Sequence, residues 1–265
     1  MAAIQPYPLC FTPIYRDYIW GGRNLQTVLG RAIPDGTVAE SWEISGVAGD
    51  ISVAENGFLA GNSLEELVEI YMGDLVGDQI YKKFGVEFPL LIKFIDANDY
   101  LSVQVHPDDA MARERHNSYG KTEMWYIVEA EKGGDRGKLI AGFNRELDRK
   151  QYMDHLKGGT LKQILNYEDV DSGDIYFMPA GRIHAIGAGV LLAEIQQTSD
   201  VTYRIYDWDR KDDAGKERDL HTDLALDAIN FSHQSNYRTD YRSEANSTVT
   251  AVDCPYFTTG VIRLD

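Results

Sequence analysis

The sequence predicts a mainly β sandwich or barrel with peripheral helices, and three observations lead to this fold class. β-Branched and aromatic residues concentrate in short runs that are separated by turn-forming residues. These runs recur about every 8–12 residues, a spacing typical of sandwiches and barrels. Helical patterns do not alternate regularly with the runs as they do in a parallel α/β sheet, and no glycine-rich nucleotide loop follows a strand.

The individual elements follow from local patterns. An alternating run at 38–45 predicts the first clear strand, and later strands are predicted at 89–95, 101–106, 123–129, 138–143, 174–178, 190–196, 201–206 and 256–264. Ser63 and Glu66 form a capping-box pattern that marks the start of a helix. Helical segments are expected around 63–76, 108–115, 148–165 and 222–230.

The composition limits the class of protein. The chain has 265 residues, 43% of them hydrophobic, so we expect one domain over residues 1–265 with a sizeable core. Its net charge of −16 argues against nucleic acid and anionic membranes as partners. No apolar run approaches the ~20 residues that span a bilayer. Residues 1–6 lack a secretory pattern and two cysteines are too few for a disulfide scaffold, which favours a cytoplasmic protein.

Two strand segments carry polar residues at a spacing of two. Ser102, Gln104 and His106 would project from one face while the intervening apolar residues pack behind. Burying such groups without partners costs several kcal/mol, so they face solvent or a polar cavity. Lys121 and Glu123 share a face in the same way. An ordinary half-exposed strand and a surface ion pair are the alternatives at these two positions.

A third segment, 173–184, has a more specific pattern. The spacing G-x5-P-x-G-x2-H is formed by Gly173, Pro179, Gly181 and His184. It matches the second signature motif of the cupin superfamily, and its Pro and Gly indicate a tight turn between two strands. The chain departs from the cupin motifs twice, because Ala188 stands where Asn is usual and Gln104 stands where the first motif has its first His.

Longer runs extend this similarity over nearly the whole chain. They are residues 19–22, 40–45, 88–97, 101–109, 120–126, 179–185 and 197–208. Taken in order, these runs resemble type I mannose-6-phosphate isomerase (phosphomannose isomerase). The resemblance implies a cupin (jelly-roll) β-barrel with peripheral α-helices, and an enzyme that acts on a sugar phosphate.

The resemblance also implies a metal site. By residue-to-residue match, one zinc ion per chain would be bound by Gln104, His106, Glu123 and His184. Oxygen and imidazole ligands without thiolates suit a catalytic zinc with an open coordination position. With one carboxylate among the ligands the local charge is about +1, which favours an anionic substrate.

The reaction that the resemblance implies is the interconversion of mannose 6-phosphate and fructose 6-phosphate through an enediol-like intermediate. Arg204, Lys121 and Glu194 match catalytic positions of the family, and a cation such as Arg204 would stabilise a developing oxyanion. Ser102 and Lys93 match positions near the substrate. The sequence leaves the proton-transfer base open among Lys121, Glu194 and a zinc-bound water.

Other interpretations stay open at this point. They are a non-catalytic sugar-binding cupin, an iron-dependent cupin oxygenase, and an isomerase of another aldose phosphate such as glucose 6-phosphate. Acid and base groups beside a metal argue against the first, and Gln104 in place of an imidazole argues against the second. Family members continue into further C-terminal β-structure, whereas this chain ends at Asp265, which leaves the C-terminal β-region either incomplete or shortened. The sequence predicts no oligomeric state.

Overall fold

The computed structural model describes residues 7–211 and 215–265, so the expectation about residues 1–6 lies outside it. The strands are β1 (Ile14–Arg16), β2 (Glu40–Ser45), β3 (Leu90–Ala97), β4 (Val103–Val105), β5 (Glu123–Ala130), β6 (Lys138–Phe143), β7 (Leu165–Asp169), β8 (Ile175–Met178), β9 (His184–Ile186), β10 (Val190–Gln197), β11 (Tyr203–Tyr206), β12 (Thr248–Asp253) and β13 (Thr258–Ile262). The α-helices are α1 (Asn24–Thr27), α2 (Leu64–Tyr71), α3 (Gly73–Val76), α4 (Asp78–Phe84), α5 (Asp109–His116), α6 (Arg149–Lys157) and α7 (Thr222–Ala228). None of these described helices has the length and apolar character needed to cross a membrane.

Two antiparallel sheets form the body of the protein. The first has the strand order β1-β2-β3-β10-β5-β8 and the second has the order β11-β4-β9-β6-β7. Between β3 and β11 the chain passes repeatedly from one sheet to the other, as in a jelly roll. Among the described α-helices, α1 to α4 precede β3 and α7 follows β11, so only α5 and α6 lie between the strands of the jelly roll in sequence. The predicted mainly β, jelly-roll class with peripheral helices is therefore confirmed.

Apolar side chains pack in three layers around the sheets. Strands of both sheets contribute to a core that contains Trp125, Leu139 and Leu192. Helices α6 and α7 pack against the second sheet through a separate cluster that contains Tyr152. The hairpin β12–β13 packs against Met124 of the first sheet. Each fully buried apolar side chain contributes roughly 1.5–3 kcal/mol, so these layers fix the two sheets around the polar groups described below.

Two predicted helical segments differ in their limits from the structure. The segment 63–76 contains α2 and α3, which are separated at Met72 because its backbone has a φ of +48°. The expectation of helix over 148–165 is wrong at its C-terminal end. Helix α6 ends at Lys157, Gly159 adopts a φ of +66°, and Leu165 begins strand β7. From Leu165 onward the backbone N–H and C=O groups pair with strand β6, so this part of the chain is a strand and not a helix.

The capping box predicted at α2 is present, and it gives a stability prediction. Ser63 Oγ accepts a hydrogen bond from the Glu66 amide, and Glu66 Oε2 accepts one from the Ser63 amide. Ser63→Ala should therefore cost about 1 kcal/mol of unfolding free energy. In a chain of this length that corresponds to a fall in melting temperature of about 2–4 °C. Ser243→Ala, at an exposed site outside any helix, is the matched control and should leave the melting temperature unchanged.

Candidate active site

A row of side chains crosses the first sheet. Trp42 on β2 lies opposite Lys93 on β3, and Lys93 lies opposite Glu194 on β10. Glu194 in turn lies opposite Trp125 on β5. Residues directly opposite each other in an antiparallel pair project from the same face, so the register of these four strands brings the four side chains together.

A second row crosses the other sheet. Arg204 on β11 lies opposite Gln104 on β4, and Gln104 lies opposite His184 at the start of β9. Val103 and Val105 are fully buried within the cluster that packs on α6 and α7. The alternation predicted for this strand therefore holds, with its apolar residues on one face and its polar residues on the other.

The turn between β8 and β9 brings His184 beside His106. Gly181 has a φ of +87°, and a Cβ at this position would lie 2.9 Å from the carbonyl oxygen of Ala228. Only glycine fits such a backbone without strain. The Gly181 amide donates a 2.9 Å hydrogen bond to the carbonyl oxygen of His106. The glycine of the motif thus ties the turn directly to the strand that carries the other histidine.

His106, Glu123 and His184 converge on one point. Their ligand atoms all lie within 4.8 Å of one another, and in the described part of the chain this is the one group of three or more His, Cys, Asp or Glu side chains so arranged. His106 Nε2 lies 3.5 Å from Glu123 Oε2, and His184 Nε2 lies 3.4 Å from Glu123 Oε1. Ligand atoms held at about 2.0–2.2 Å around one tetrahedral zinc ion would lie about 3.3–3.6 Å apart, so these separations suit a metal.

The hydrogen bonds of both imidazoles prepare them as ligands. His106 Nδ1 lies 3.0 Å from the carbonyl oxygen of Val201, and His184 Nδ1 lies 2.8 Å from that of Arg182. A carbonyl can only accept, so each Nδ1 carries the proton and each Nε2 presents its lone pair to the centre of the cluster. His106 Nε2 and both Glu123 oxygens are buried and have no hydrogen-bond partner among the described residues. A bound cation would satisfy them.

The protonation states agree with a cation site. Burial, followed by the nearby Glu194 carboxylate, raises the pKa of Glu123 to about 7. Burial lowers the pKa of His184 to about 4 and holds the pKa of His106 well below its usual range. Both imidazoles are therefore neutral at pH 7, as metal ligands must be. The positive charges of Lys121 and Lys93 act in the opposite direction on the pKa of Glu123, but they do not outweigh its burial and the neighbouring carboxylate.

Gln104 lies next to this cluster. Its Nε2 is 3.3 Å from His184 Nε2. Amide oxygen and nitrogen have nearly the same shape, so a rotation of the amide by 180° presents Oε1 to the cluster instead. The structure therefore brings together all four residues that the sequence assigns to a metal.

The proposed acid–base residues adjoin the cluster. Lys121 Nζ lies 3.3 Å from Glu123 Oε2 and 4.0 Å from Glu194 Oε1. Glu194 Oε2 accepts a 2.8 Å hydrogen bond from the Trp125 indole, which fixes the carboxylate. Burial raises the pKa of Glu194, but the charges of Lys93 and Lys121 outweigh it and the net pKa is lowered. Glu194 is therefore an anion that faces two lysines.

Lys93 is buried between two carboxylates. Its Nζ lies 3.2 Å from Glu194 Oε1 and 3.3 Å from Glu40 Oε2. Glu40 also accepts a 2.6 Å hydrogen bond from the Trp42 indole. Although burial acts against the charged amine, the two carboxylates raise the pKa of Lys93. Lys93 is a paired, interior cation, so its place in an apolar strand does not reflect an exposed sheet edge.

Arg204 is fixed through its backbone. Its amide donates to His221 Nδ1 and its carbonyl accepts from the His221 amide, while one guanidinium nitrogen donates a 2.9 Å hydrogen bond to the carbonyl oxygen of Asp219. Its Nε is buried and has no hydrogen-bond partner among the described residues. Arg204 therefore holds a spare donor in a partly buried position.

One cavity of about 250 Å³ collects these groups. The sequence-predicted residues that line it are Lys93, Ser102, Gln104, Lys121, Glu194 and Arg204. The cavity does not reach the fully buried side chains of His106, Glu123 and His184. Two lining residues contact this cluster: Gln104 contacts His184, and Lys121 contacts Glu123. All of the predicted site residues thus meet in one region between the sheets.

Sequence reasoning did not assign to the site several polar residues that line the same cavity, among them Glu40, Gln196 and Arg218. The Gln196 amide nitrogen donates to the carbonyl oxygens of Gln197 and Ser199, both at 2.7 Å, so its Oε1 is an acceptor. That oxygen is buried without a partner among the described residues. Glu40 and Gln196 fall within alternating strands, where a cavity-facing position could have been inferred. Arg218 lies in a polar loop that gives no such signal.

The fold and this site together define a class. A two-sheet jelly roll of this kind, with two imidazoles and a carboxylate that could hold a metal ion and an amide beside them, is a cupin with a candidate metal site.

Comparisons with known proteins narrow the class to a family. Residues 9–133 match the family model "Phosphomannose isomerase type I, catalytic domain". The chain is 39% identical over 252 residues to the mannose-6-phosphate isomerase of Streptococcus mutans, covering 95% of this chain and 77% of the relative. It is 37% identical over 259 residues to a mannose-6-phosphate isomerase of Bacillus subtilis, covering 96% and 78%. The crystal structure of the mannose 6-phosphate isomerase from Bacillus subtilis superposes with a TM-score of 0.83 at 33% identity, covering 95% of this chain and 78% of that one.

The chain belongs to the type I phosphomannose isomerase family, and it is an isomerase. The interpretation as an iron-dependent oxygenase falls away with this result. The assignment of individual site residues depends on the geometry described above.

Proposed function

We propose that this protein is a zinc-dependent aldose–ketose isomerase that interconverts mannose 6-phosphate and fructose 6-phosphate. One observation carries the proposal: buried atoms suited to bind a metal, without hydrogen-bond partners among the described residues, lie next to a single polar cavity that is lined by Lys121, Glu194 and Arg204. Binding alone would not require paired acid–base groups beside a metal. The family membership supports both the substrate class and the reaction. We also propose that residues 1–265 act as one cupin-type domain.

The reaction moves two protons. In the open-chain aldose, a base removes the proton on C2 while the carbonyl oxygen O1 gains one, which gives an enediol or its anion. A proton then adds to C1 and the proton on O2 leaves, which forms the ketose. The catalytic groups must therefore bind near C1, C2 and their oxygens and stabilise negative charge on oxygen.

Gln104, His106, Glu123 and His184 would hold the zinc ion. Zinc bound there supplies a Lewis acid that polarises a carbonyl or hydroxyl oxygen and so acidifies the neighbouring C–H. Three neutral ligands and one carboxylate preserve part of the ion's positive charge. Imidazole and oxygen ligands suit zinc more than they suit calcium or magnesium, which prefer oxygen alone.

Lys121 and Glu194 would carry the protons between C1 and C2. Lys121 Nζ and Glu194 Oε1 lie 4.0 Å apart in the lining of the cavity, so one bound substrate can contact both. Trp125 orients the Glu194 carboxylate through the indole hydrogen bond. Arg204 would stabilise the negative oxygen with its spare donor. Ser102 and Lys93, which line the same cavity, would bind the substrate.

Metal removal tests this proposal directly. Protein stripped of metal should lose at least about 100-fold in kcat/KM for mannose 6-phosphate, since a Lewis acid contributes several kcal/mol to such a reaction. Titration with zinc should restore turnover near one equivalent per chain. Magnesium, titrated in parallel as a control, should restore little. Full activity after verified metal removal would show that zinc has no catalytic role here.

The same assay separates the remaining alternatives. Stoichiometric zinc binding with sugar phosphate binding but no turnover would favour a sugar-binding cupin. A higher kcat/KM for glucose 6-phosphate than for mannose 6-phosphate would favour the isomerase of another aldose phosphate.

A further inference from the structure

We infer that Arg218 binds the phosphate group of the substrate, and that the buried carboxylate of Asp207 positions it. This inference rests on the proposed function, because it assumes a phosphorylated sugar in the cavity. It assigns to phosphate recognition a residue for which the sequence gives no signal.

The charges that line the cavity show where an anion is favoured. The two lysines, Lys93 and Lys121, lie within 4.0 Å of carboxylates, and the lining includes two of these, Glu40 and Glu194. The positive charges of the two lysines and the negative charges of the two glutamates in the lining therefore cancel. The remaining charged groups of the lining are two arginines against the single exposed carboxylate of Asp200. The guanidinium groups that an anion can approach from the cavity therefore lie at this end of the lining, and the carboxylate that pairs with Arg218, Asp207, is not part of the lining.

Arg218 is built into that end. Its Nε donates a 2.7 Å hydrogen bond to Asp207 Oδ2, and a second guanidinium nitrogen contacts Oδ1 of the same carboxylate. Asp207 also accepts a 2.6 Å hydrogen bond from Arg210, so one carboxylate serves two guanidinium groups. The Asp207 side chain is only 7% exposed, whereas that of Arg218 is 35% exposed. A buried anchor thus holds a cation that remains accessible from the cavity.

Arg218 lies near Arg204, and the two guanidinium groups have different surroundings. The segment that carries Arg218 is tied to Arg204 by the hydrogen bond to the carbonyl oxygen of Asp219. Burial, and next the positive charge of Arg218, lower the pKa of Arg204. An anion bound at Arg218 offsets the positive charge that this guanidinium exerts on Arg204. The planar fork of arginine also fits phosphate oxygens, and a phosphate monoester carries a charge near −2 at pH 7.

The position of each arginine separates their tasks. Arg204 lies opposite Gln104 in the strand pair β11–β4, next to the metal cluster. Arg218 lies in the loop between β11 and α7. In an open-chain sugar 6-phosphate, the phosphate is at the opposite end from C1 and C2. A substrate with its reacting carbons at the metal cluster would direct its phosphate away from the cluster, toward the cavity wall that carries Arg218.

Arg218→Gln tests this assignment. A charge-assisted hydrogen bond to phosphate is lost, so KM for mannose 6-phosphate should rise at least about 10-fold while kcat changes less than about 3-fold. Inorganic phosphate should inhibit the wild-type protein competitively, and its inhibition constant should rise by a similar factor in the variant. Arg218→Lys, which keeps the charge but loses the fork, should give intermediate values.

The controls keep the test decisive. Lys211→Gln removes a charge from an exposed lysine of the same segment that pairs with Glu217, and it should change neither KM nor phosphate inhibition. Asp207 keeps Arg210 as a partner in Arg218→Gln, so the melting temperature should fall little. Unchanged KM and phosphate inhibition in Arg218→Gln, or an equal loss of kcat, would overturn the inference even though the wild type is active. A wild type without any turnover of mannose 6-phosphate would instead overturn the proposed function.

Discussion

His106→Ala is expected to lower bound zinc far below one ion per chain and to reduce kcat/KM for mannose 6-phosphate by at least about 100-fold. Loss of a group that merely supports a metal ligand costs 10–100-fold in affinity or activity, so loss of a ligand should cost at least as much. His106 Nδ1 is bound to the carbonyl oxygen of Val201, and its Nε2, which has no hydrogen-bond partner among the described residues, is the ligand atom that the substitution removes. Metal content by elemental analysis and steady-state kinetics measure the two effects.

Two further variants separate metal loss from unfolding. Glu123→Gln keeps the volume of a fully buried side chain but removes the one negative ligand, and it should also lower zinc content. His233→Ala changes a histidine outside the cavity and should retain one zinc ion per chain. Full zinc occupancy in His106→Ala would contradict the assigned ligand set.

Local patterns predicted much of the site because its residues lie on regular strands. The alternation through Gln104 and His106 required no knowledge of partners, since the period of a strand decides which side chains share a face. His184 was predicted from the match of residues 173–184 to a cupin motif, and the structure gives a reason for the glycine of that motif, since Gly181 has a positive φ that other residues avoid. Both signals are contained in fewer than about 15 consecutive residues, well within reach of sequence-pattern reasoning.

The remaining parts of the site depend on long-range pairing. Glu40 and Lys93 are 53 residues apart, and only the register of β2 on β3 brings them together. The helix expected over 148–165 extends too far, because Gly159 adopts a positive φ and Leu165 already pairs with β6 as the first residue of β7. Arg218 becomes visible only through Asp207, a buried carboxylate that needs the whole fold to be enclosed.

Arg204→Ala is expected to lower kcat about 10²–10³-fold, with KM changed less than about 5-fold, since loss of one donor to a developing oxyanion has an effect of this size. The buried Nε of Arg204, which has no hydrogen-bond partner in the described part of the chain, is the donor available to the transition state. An interaction made only in the transition state affects kcat and kcat/KM equally, whereas uniform binding affects KM. Steady-state kinetics with mannose 6-phosphate measure the division between the two.

Arg218→Gln is the matched comparison, because the two arginines are neighbours but their substitutions should change different kinetic constants. Arg204→Ala should lower kcat, whereas Arg218→Gln should raise KM. Both substitutions remove one positive charge from the same cavity, so a purely electrostatic role would give similar profiles. Backbone hydrogen bonds to His221 hold the Arg204 position in either variant, which limits structural disturbance. If Arg204→Ala raises KM and spares kcat, Arg204 binds the ground state and the negative oxygen must be stabilised by other groups. Zinc content should stay near one ion per chain in both variants, since neither arginine belongs to the ligand set.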